Sequence, residues 1–173
     1  MALEPLFQCV ARSDAREDDA VYATENACAA IAKIIHFNAS AIPNIDTVIA
    51  SWLDTLPIIN DEEEAPHAYN ILMDLVERYC EPRIWLTFRG VPAVTSQVPK
   101  VFSAVAAAIE YGSIEGKTLS RAVEDTKKLL AALPAGEAQR LFTSMSPERQ
   151  VAVAEKFDWS TGVWVLEHRD ITL

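Results

Sequence analysis

Acids dominate the residues of this 173-residue chain that could do chemistry. Glu17, Asp18 and Asp19 follow one another, and Asp61, Glu62, Glu63 and Glu64 make a second run. Neither run has the partners that turn carboxylates into catalysts or metal ligands. His36, His67 and His168 are scattered, with no acid or thiol at triad or ligand spacing, and a catalytic base needs its partner within hydrogen-bond reach. Cys9, Cys28 and Cys80 lie far apart without a CxxC or Cys/His cluster, so neither a zinc site nor a disulfide framework is expected. Cys28 sits in an Ala-rich stretch and reads as a small buried thiol. No GxGxxG or GxxxxGK(S/T) loop is present to cradle a nucleotide phosphate. These residues point to recognition, with no catalytic residue, no metal ligand and no cofactor.

The acids are unevenly placed. Residues 1–82 hold 15 acids against 4 bases, a net −11, and residues 83–173 hold 10 against 11, a net +1. An acidic half repels phosphate backbones and attracts basic proteins, so nucleic acid is excluded as its partner. For the second run a structural role competes with partner contact. It precedes Pro66 at an expected helix start, where acids favour the helix dipole by ~0.3–1 kcal/mol each. Lys127 and Lys128 read as a solvated helix face.

The elements that position these residues follow from hydrophobic spacing. Half of the residues are hydrophobic and only five are glycine, enough apolar content for a sizeable core. No apolar run reaches the ~18 residues of a membrane span, and the N-terminus lacks the pattern of a signal peptide, so a soluble intracellular protein is expected. Ala2, Leu3, Leu6, Phe7 and Val10 recur at helical spacing, and the polar run 13–19 breaks the pattern as a turn or linker. A second helix is expected over 22–37, with Ala27, Ile31, Ile34 and Ile35 on one face. After Pro43, Asn44 or Asp46 can cap a third helix carrying Val48, Ile49, Trp52, Leu53 and Leu56 up to Pro57. A fourth runs from Pro66 to Pro82 with Ile71, Leu72, Leu75, Val76 and Tyr79 inward.

Residues 83–98 lack a helical period, although Ile84, Trp85, Leu86 and Phe88 are too apolar for a simple loop. A fifth helix is expected over 99–111, a sixth with Leu119, Ala122, Val123, Thr126 and Leu130 up to Pro134, and a short seventh with Ala138, Leu141, Phe142 and Met145. Ser146-Pro147-Glu148 is a helix start by residue type: a capping hydroxyl, a proline suited to the first turn and an acid near the positive end. The eighth helix would carry Val151, Ala154 and Phe157, leaving 159–173 as an extended or disordered tail.

Helices in series with Pro-marked turns pair as 20–57, 62–111 and 117–145, the first two starting about 42 residues apart, within the HEAT/armadillo range. The fold class expected is all-α, an α-solenoid of stacked antiparallel helix pairs in which stacking supplies the core each pair lacks alone. The solenoid segment covers 1–157 with an insertion-like stretch at about 80–90, and 158–173 forms a C-terminal tail. Solenoid ends need polar caps. Leu3, Leu6, Phe7 and Val10 do not make one, so the opening helix is expected to lack a neighbour and to promote self-association.

Residues 20–57 resemble importin-β family nuclear transport receptors of the importin-four type. The resemblance lies in Thr24, Asn26, Ala27, Ala30 to Ile35, Asn38, Ile42, Pro43, Leu56 and Pro57. The stretches 98–112 and 128–150 are similar to the family's last HEAT repeats, while 80–89 and 159–173 depart from it. The resemblance implies nuclear import of basic cargo such as histones or ribosomal proteins and shuttling between cytoplasm and nucleus. FG nucleoporins are implied as further partners, and Ran-GTP only through an N-terminal part that has no counterpart here. Glu17, Asp18, Asp19, Asp61, Glu62, Glu63 and Glu64 become the candidate cargo-binding residues. Trp52 is either a pocket residue for FG motifs or part of the core. A general HEAT adaptor without a transport role is the alternative.

Overall fold

The computed structural model describes residues 2–80, 93–134 and 136–159. Among these are eight α-helices and no strand. They are α1 (Leu3–Val10), α2 (Val21–Asn38), α3 (Ile45–Leu53), α4 (Ala65–Cys80), α5 (Ala93–Tyr111), α6 (Gly116–Ala131), α7 (Glu137–Thr143) and α8 (Pro147–Phe157). A short 3-10 turn, Ala39–Ala41, follows α2. No described helix is long and apolar enough to cross a membrane.

The helices form two facing rows. In one, α2 packs on α4 and α4 on α6; in the other, α3 packs on α5 and α5 on α8. Across the rows α2 meets α3, α4 meets α5 and α6 meets α8. This is the expected α-solenoid, and its core runs between the rows through Ile31, Ile35, Trp52, Tyr69, Leu72 and Phe102. Trp52 is fully buried and its indole N–H donates to the Cys28 carbonyl at 3.0 Å. It is therefore a core residue that offers no surface to an FG motif. Tyr69 donates to the Ala104 carbonyl at 3.1 Å, tying α4 to α5, and burial pushes its phenol well above the usual range.

Several local boundaries differ from the sequence reading. In the facing row α6 meets α5 and α8, rather than pairing with the helix ending near 145. The seven-residue α7 buries no side chain fully, whereas α8 inserts Val153 and Phe157, the latter edge-on to Phe102 with ring centres 5.8 Å apart. At 1.5 Å per residue, α7 is too short to cover the 16-residue α6. The fifth helix starts at Ala93, not at 99, and holds Pro99 in its interior. A proline removes one backbone bond, to the carbonyl four residues back, and here that carbonyl lies in the first turn. Asn44 sits at the start of α3 in a left-handed conformation (φ 54°) without a side-chain cap, and Asp46 supplies the acid of the first turn. The start of α8 is as expected: Ser146 Oγ accepts from the Arg149 N–H at 3.3 Å, and Pro147 opens the helix.

The opening helix has a neighbour. Leu3 is buried and Leu6, Phe7 and Val10 pack against the core where α1 lies along α2. At the other end Trp159 is buried, stacked on Phe142 at 4.4 Å and on Phe102 at 6.3 Å, and its indole N–H donates to Gln139 Oε1 at 3.3 Å. Packing thus runs on past the end of α8 and holds α7 against α5. The apolar stretch with Ile84, Trp85, Leu86 and Phe88 and the tail beyond 159 lie outside the described residues. Replacing Trp159 with Ala removes the ring shared by Phe142 and Phe102, and the expected loss is about 3 kcal/mol. The matching fall in Tm is about 6–12 °C by scanning calorimetry.

Candidate functional site

Both acidic runs lie in turns that lead into helices of the same row. The turn before α2 is a chain of short backbone bonds: Ala15 N–H to Arg12 O (3.2 Å), Glu17 N–H to Asp14 O (3.0 Å), and the N–H groups of Ala20 and Val21 to Glu17 O (2.9 Å each). Ala15 is buried and anchors the turn. Glu17, Asp18 and Asp19 are exposed and have no ion-pair partner among the described residues. The neighbouring Asp14 differs, since its hydrogen bond from Arg12 lowers its pKa.

The second run is divided by the fold. Asp61 Oδ1 accepts from the Glu64 N–H at 3.0 Å and its carbonyl from the Ala65 N–H at 2.9 Å, so Asp61 caps α4. Its Oδ2 accepts from Asn26 Nδ2 at 2.8 Å. Glu64 pairs with Lys33 of α2, Nζ to Oε2 at 2.6 Å. Glu62 and Glu63 remain exposed and without a partner among the described residues. Two of the four acids hold the joint between α2 and α4, and the other two stand in the exposed part of the turn.

Glu25 holds that joint together and was not singled out from the sequence. Its side chain is fully buried. Oε1 accepts from the Ile59 N–H at 2.9 Å and Asn60 Nδ2 at 3.3 Å. Oε2 accepts from the N–H groups of Asn60 at 2.8 Å and Asp61 at 2.7 Å. Arg16 Nη1 stands 3.6 Å from Oε1 and donates to the Pro57 carbonyl at 3.0 Å, and Nη2 donates to the Thr55 carbonyl. A carboxylate out of water is costly unless its lone pairs are filled, and here four donors and a cation fill them. The available signal was spacing: Glu25 lies three and four residues before Cys28 and Ala29, an acid on the apolar face of α2.

A second polar seam crosses the same row. Arg121 of α6 pairs with Asp74 at 2.7 Å and Glu77 at 3.0 Å of α4, and donates to the Asn70 carbonyl at 3.3 Å. Burial opposes the Arg121 charge, but hydrogen bonds with Asp74 and Glu77 outweigh it and raise its pKa. Asn70 Nδ2 donates to Thr118 Oγ1 at 3.1 Å, and His36 Nδ1 of α2 lies 3.5 Å from Asp74 Oδ2. His36 lies between α2 and α4 beside Asp74, His67 is exposed, and His168 lies outside the described residues. Burial pushes the Cys28 thiol up in pKa, which makes it a poor nucleophile.

No group of acids, histidines and cysteines among the described residues could hold a metal ion. A groove of about 350 Å³ between the α3–α4 loop and α5 is floored by Leu53, Leu56, Ala104 and Ala107. Its charged rim is already paired, Lys100 with Asp54 at 2.5 Å and Arg149 with Glu110 at 2.6 Å.

Two rows of helices tied by polar seams define an α-solenoid of the HEAT type. Residues 88–123 match a family model described as an importin repeat. Over 140 residues the chain is 33% identical to Importin subunit beta-3 of Saccharomyces cerevisiae, an alignment covering 81% of this chain and 12% of that protein. The chain belongs to the importin-β family, whose members are transport receptors and not enzymes. It spans only 12% of the length of the relative it matches.

Glu25→Gln keeps the side-chain shape but turns one acceptor oxygen into a donor facing backbone N–H groups. The expected loss of stability is about 2–4 kcal/mol. It should appear in urea unfolding as a lower midpoint with an unchanged m-value. A loss below about 0.5 kcal/mol, the range of ordinary surface substitutions, would deny Glu25 this role.

Proposed function

We propose that the chain is a protein-binding HEAT segment of a nuclear import receptor and carries basic cargo, of the histone or ribosomal-protein type, through the nuclear pore. The observation that carries the reading is the exposed run Glu17, Asp18 and Asp19, without an ion-pair partner among the described residues, on a family member whose residues 1–82 hold a net −11. Glu62 and Glu63, in the turn before the next helix of the row, extend the acidic edge. Asp61 and Glu64 serve it indirectly, through the cap and the Lys33 pair. Residues 1–157 form the solenoid segment of this reading and 158–173 its tail. Shuttling between cytoplasm and nucleus, contact with FG nucleoporins and regulation by Ran-GTP through an N-terminal part belong to the whole receptor. The finer assignment to the importin-four type follows from the ordered series between Thr24 and Pro57.

A curved row of helices offers a long surface, and carboxylates along it speed encounter with basic segments. Exposed ion pairs contribute only ~0.2–1 kcal/mol each, so affinity spreads over several acids. It falls with salt as the Debye length shrinks from ~10 Å at 0.1 M to ~3 Å at 1 M. In titrations with a histone-tail peptide, joint replacement of Glu17, Asp18 and Asp19 by Ser should weaken binding more than replacement of Glu137, Glu148 and Glu155. Equal affinities would remove the assignment to the first run, and salt-independent binding would remove the electrostatic model. A HEAT adaptor without a transport role would bind the peptide but show no affinity for immobilised FG repeats.

The divided second run gives a separate expectation. Replacing Glu62 and Glu63 with Ser should reduce peptide affinity and leave Tm within about 2 °C. Asp61→Ala should lower stability by about 1 kcal/mol through loss of the cap. Calorimetry and the peptide titration on both variants separate the two roles.

A further inference from the structure

Arg16 directly precedes three acids that have no ion-pair partner among the described residues, and its own guanidinium does not neutralise them. It is turned toward the neighbouring helix pair. Nη1 donates to the Pro57 carbonyl at 3.0 Å, Nη2 donates to the Thr55 carbonyl, and Nη1 stands 3.6 Å from the buried Glu25 Oε1. Both carbonyls belong to the loop whose N–H groups at 59, 60 and 61 are bound by Glu25. The planar fork of an arginine suits two carbonyls and a carboxylate at once, which a lysine ammonium on a flexible stem does not match. The inward turn has two consequences. The acidic run keeps its full charge, and the turn that carries it is bolted to the loop before α4.

We propose that Arg16 is a positioning residue, which clamps the α1–α2 turn to the 55–61 loop and thereby presents Glu17, Asp18 and Asp19 in a fixed, unneutralised register to a Lys/Arg-rich segment. The recognition half rests on the reading above, and the clamp stands on the geometry of Arg16, Glu25 and the loop. The two halves predict opposite signs for one substitution. By charge alone, Arg16→Ala makes the edge more negative and should tighten binding of a cationic peptide. If Arg16 positions the run, the same change lets the turn move, and the peptide must bear the cost of ordering it.

The test uses the full chain, as wild type, Arg16→Ala and Arg16→Lys, with hydrogen exchange of backbone amides and titration by a synthetic peptide of alternating Lys and Gly. In Arg16→Ala the amides of Ala15, Glu17 and Ala20, which are bonded within the turn, should exchange about tenfold faster while α5 to α8 stay unchanged. Peptide affinity should fall about three- to tenfold despite the added negative charge. Arg16→Lys keeps the charge without the fork and should also exchange faster and bind more weakly than wild type, which a pure charge effect would not produce. Unchanged exchange in the turn would overturn the clamp. Faster exchange with equal or tighter binding would overturn the positioning role. If wild type fails to bind the peptide at low salt, the acidic-edge reading falls with that role, while the exchange data still decide the clamp.

Discussion

A carboxylate at zero exposure has lost its water, and at Glu25 the loss is made good by donors from a segment more than thirty residues away. The N–H groups of 59, 60 and 61 point at one side chain of α2, so the loop between α3 and α4 has little freedom in where it runs. That loop sets where α4 begins. Within it, Asp61 caps α4 and accepts from Asn26 on α2, so the same few residues place two helices of one row side by side. Broken pairs of this kind leave buried donors or charges unsatisfied, which costs more than the intact contact contributes.

Hydrophobic burial holds the rows face to face, and the polar ties fix how each helix sits against the next in its row. Apolar contacts are non-directional and tolerate sliding. Hydrogen bonds between specific atoms do not, and they recur at both joints. Lys33 with Glu64 and Asn26 with Asp61 lie between α2 and α4, and Asn70 with Thr118 and Arg121 with Asp74 lie between α4 and α6. Asp74 lies between both neighbours of α4, bonded to Arg121 of α6 and 3.5 Å from His36 Nδ1 of α2. In a solenoid each unit touches only its neighbours, so small angles fixed at each joint add along the chain and set the curvature of the surface offered to a partner.

The same economy governs the acids. Those nearest the joints are consumed as cap, ion-pair partner or buried acceptor: Asp61, Glu64 and Glu25. Those one or two residues away stay in water with their charge unspent: Glu17, Asp18, Asp19, Glu62 and Glu63. Composition counts all of them equally toward the net −11 of residues 1–82. Only the exposed members without an ion-pair partner among the described residues project a long-range field, since a paired charge presents a dipole that falls off faster than a monopole.

Local chemistry was legible in the sequence wherever neighbours in the chain are also neighbours in space. Ser146, Pro147 and Glu148 mark the start of α8 because a cap involves residues three apart, and the stripe with Trp52 and Leu53 marks the buried face of α3 because helical period is local. The all-helical class and the solenoid follow from the serial repetition of such stripes, and the family from the ordered residues between Thr24 and Pro57. Tertiary structure decided the rest. The seating of α8 rather than α7 beside α5 depends on where Phe157 and Trp159 meet Phe102 within that row. The burial of Glu25 depends on a loop beginning thirty residues later, and the inward turn of Arg16 depends on carbonyls forty residues distant. A single acid on an apolar face carries its charge in the sequence, but whether that charge meets water, an ion or a row of backbone N–H groups is settled only when distant segments pack against it.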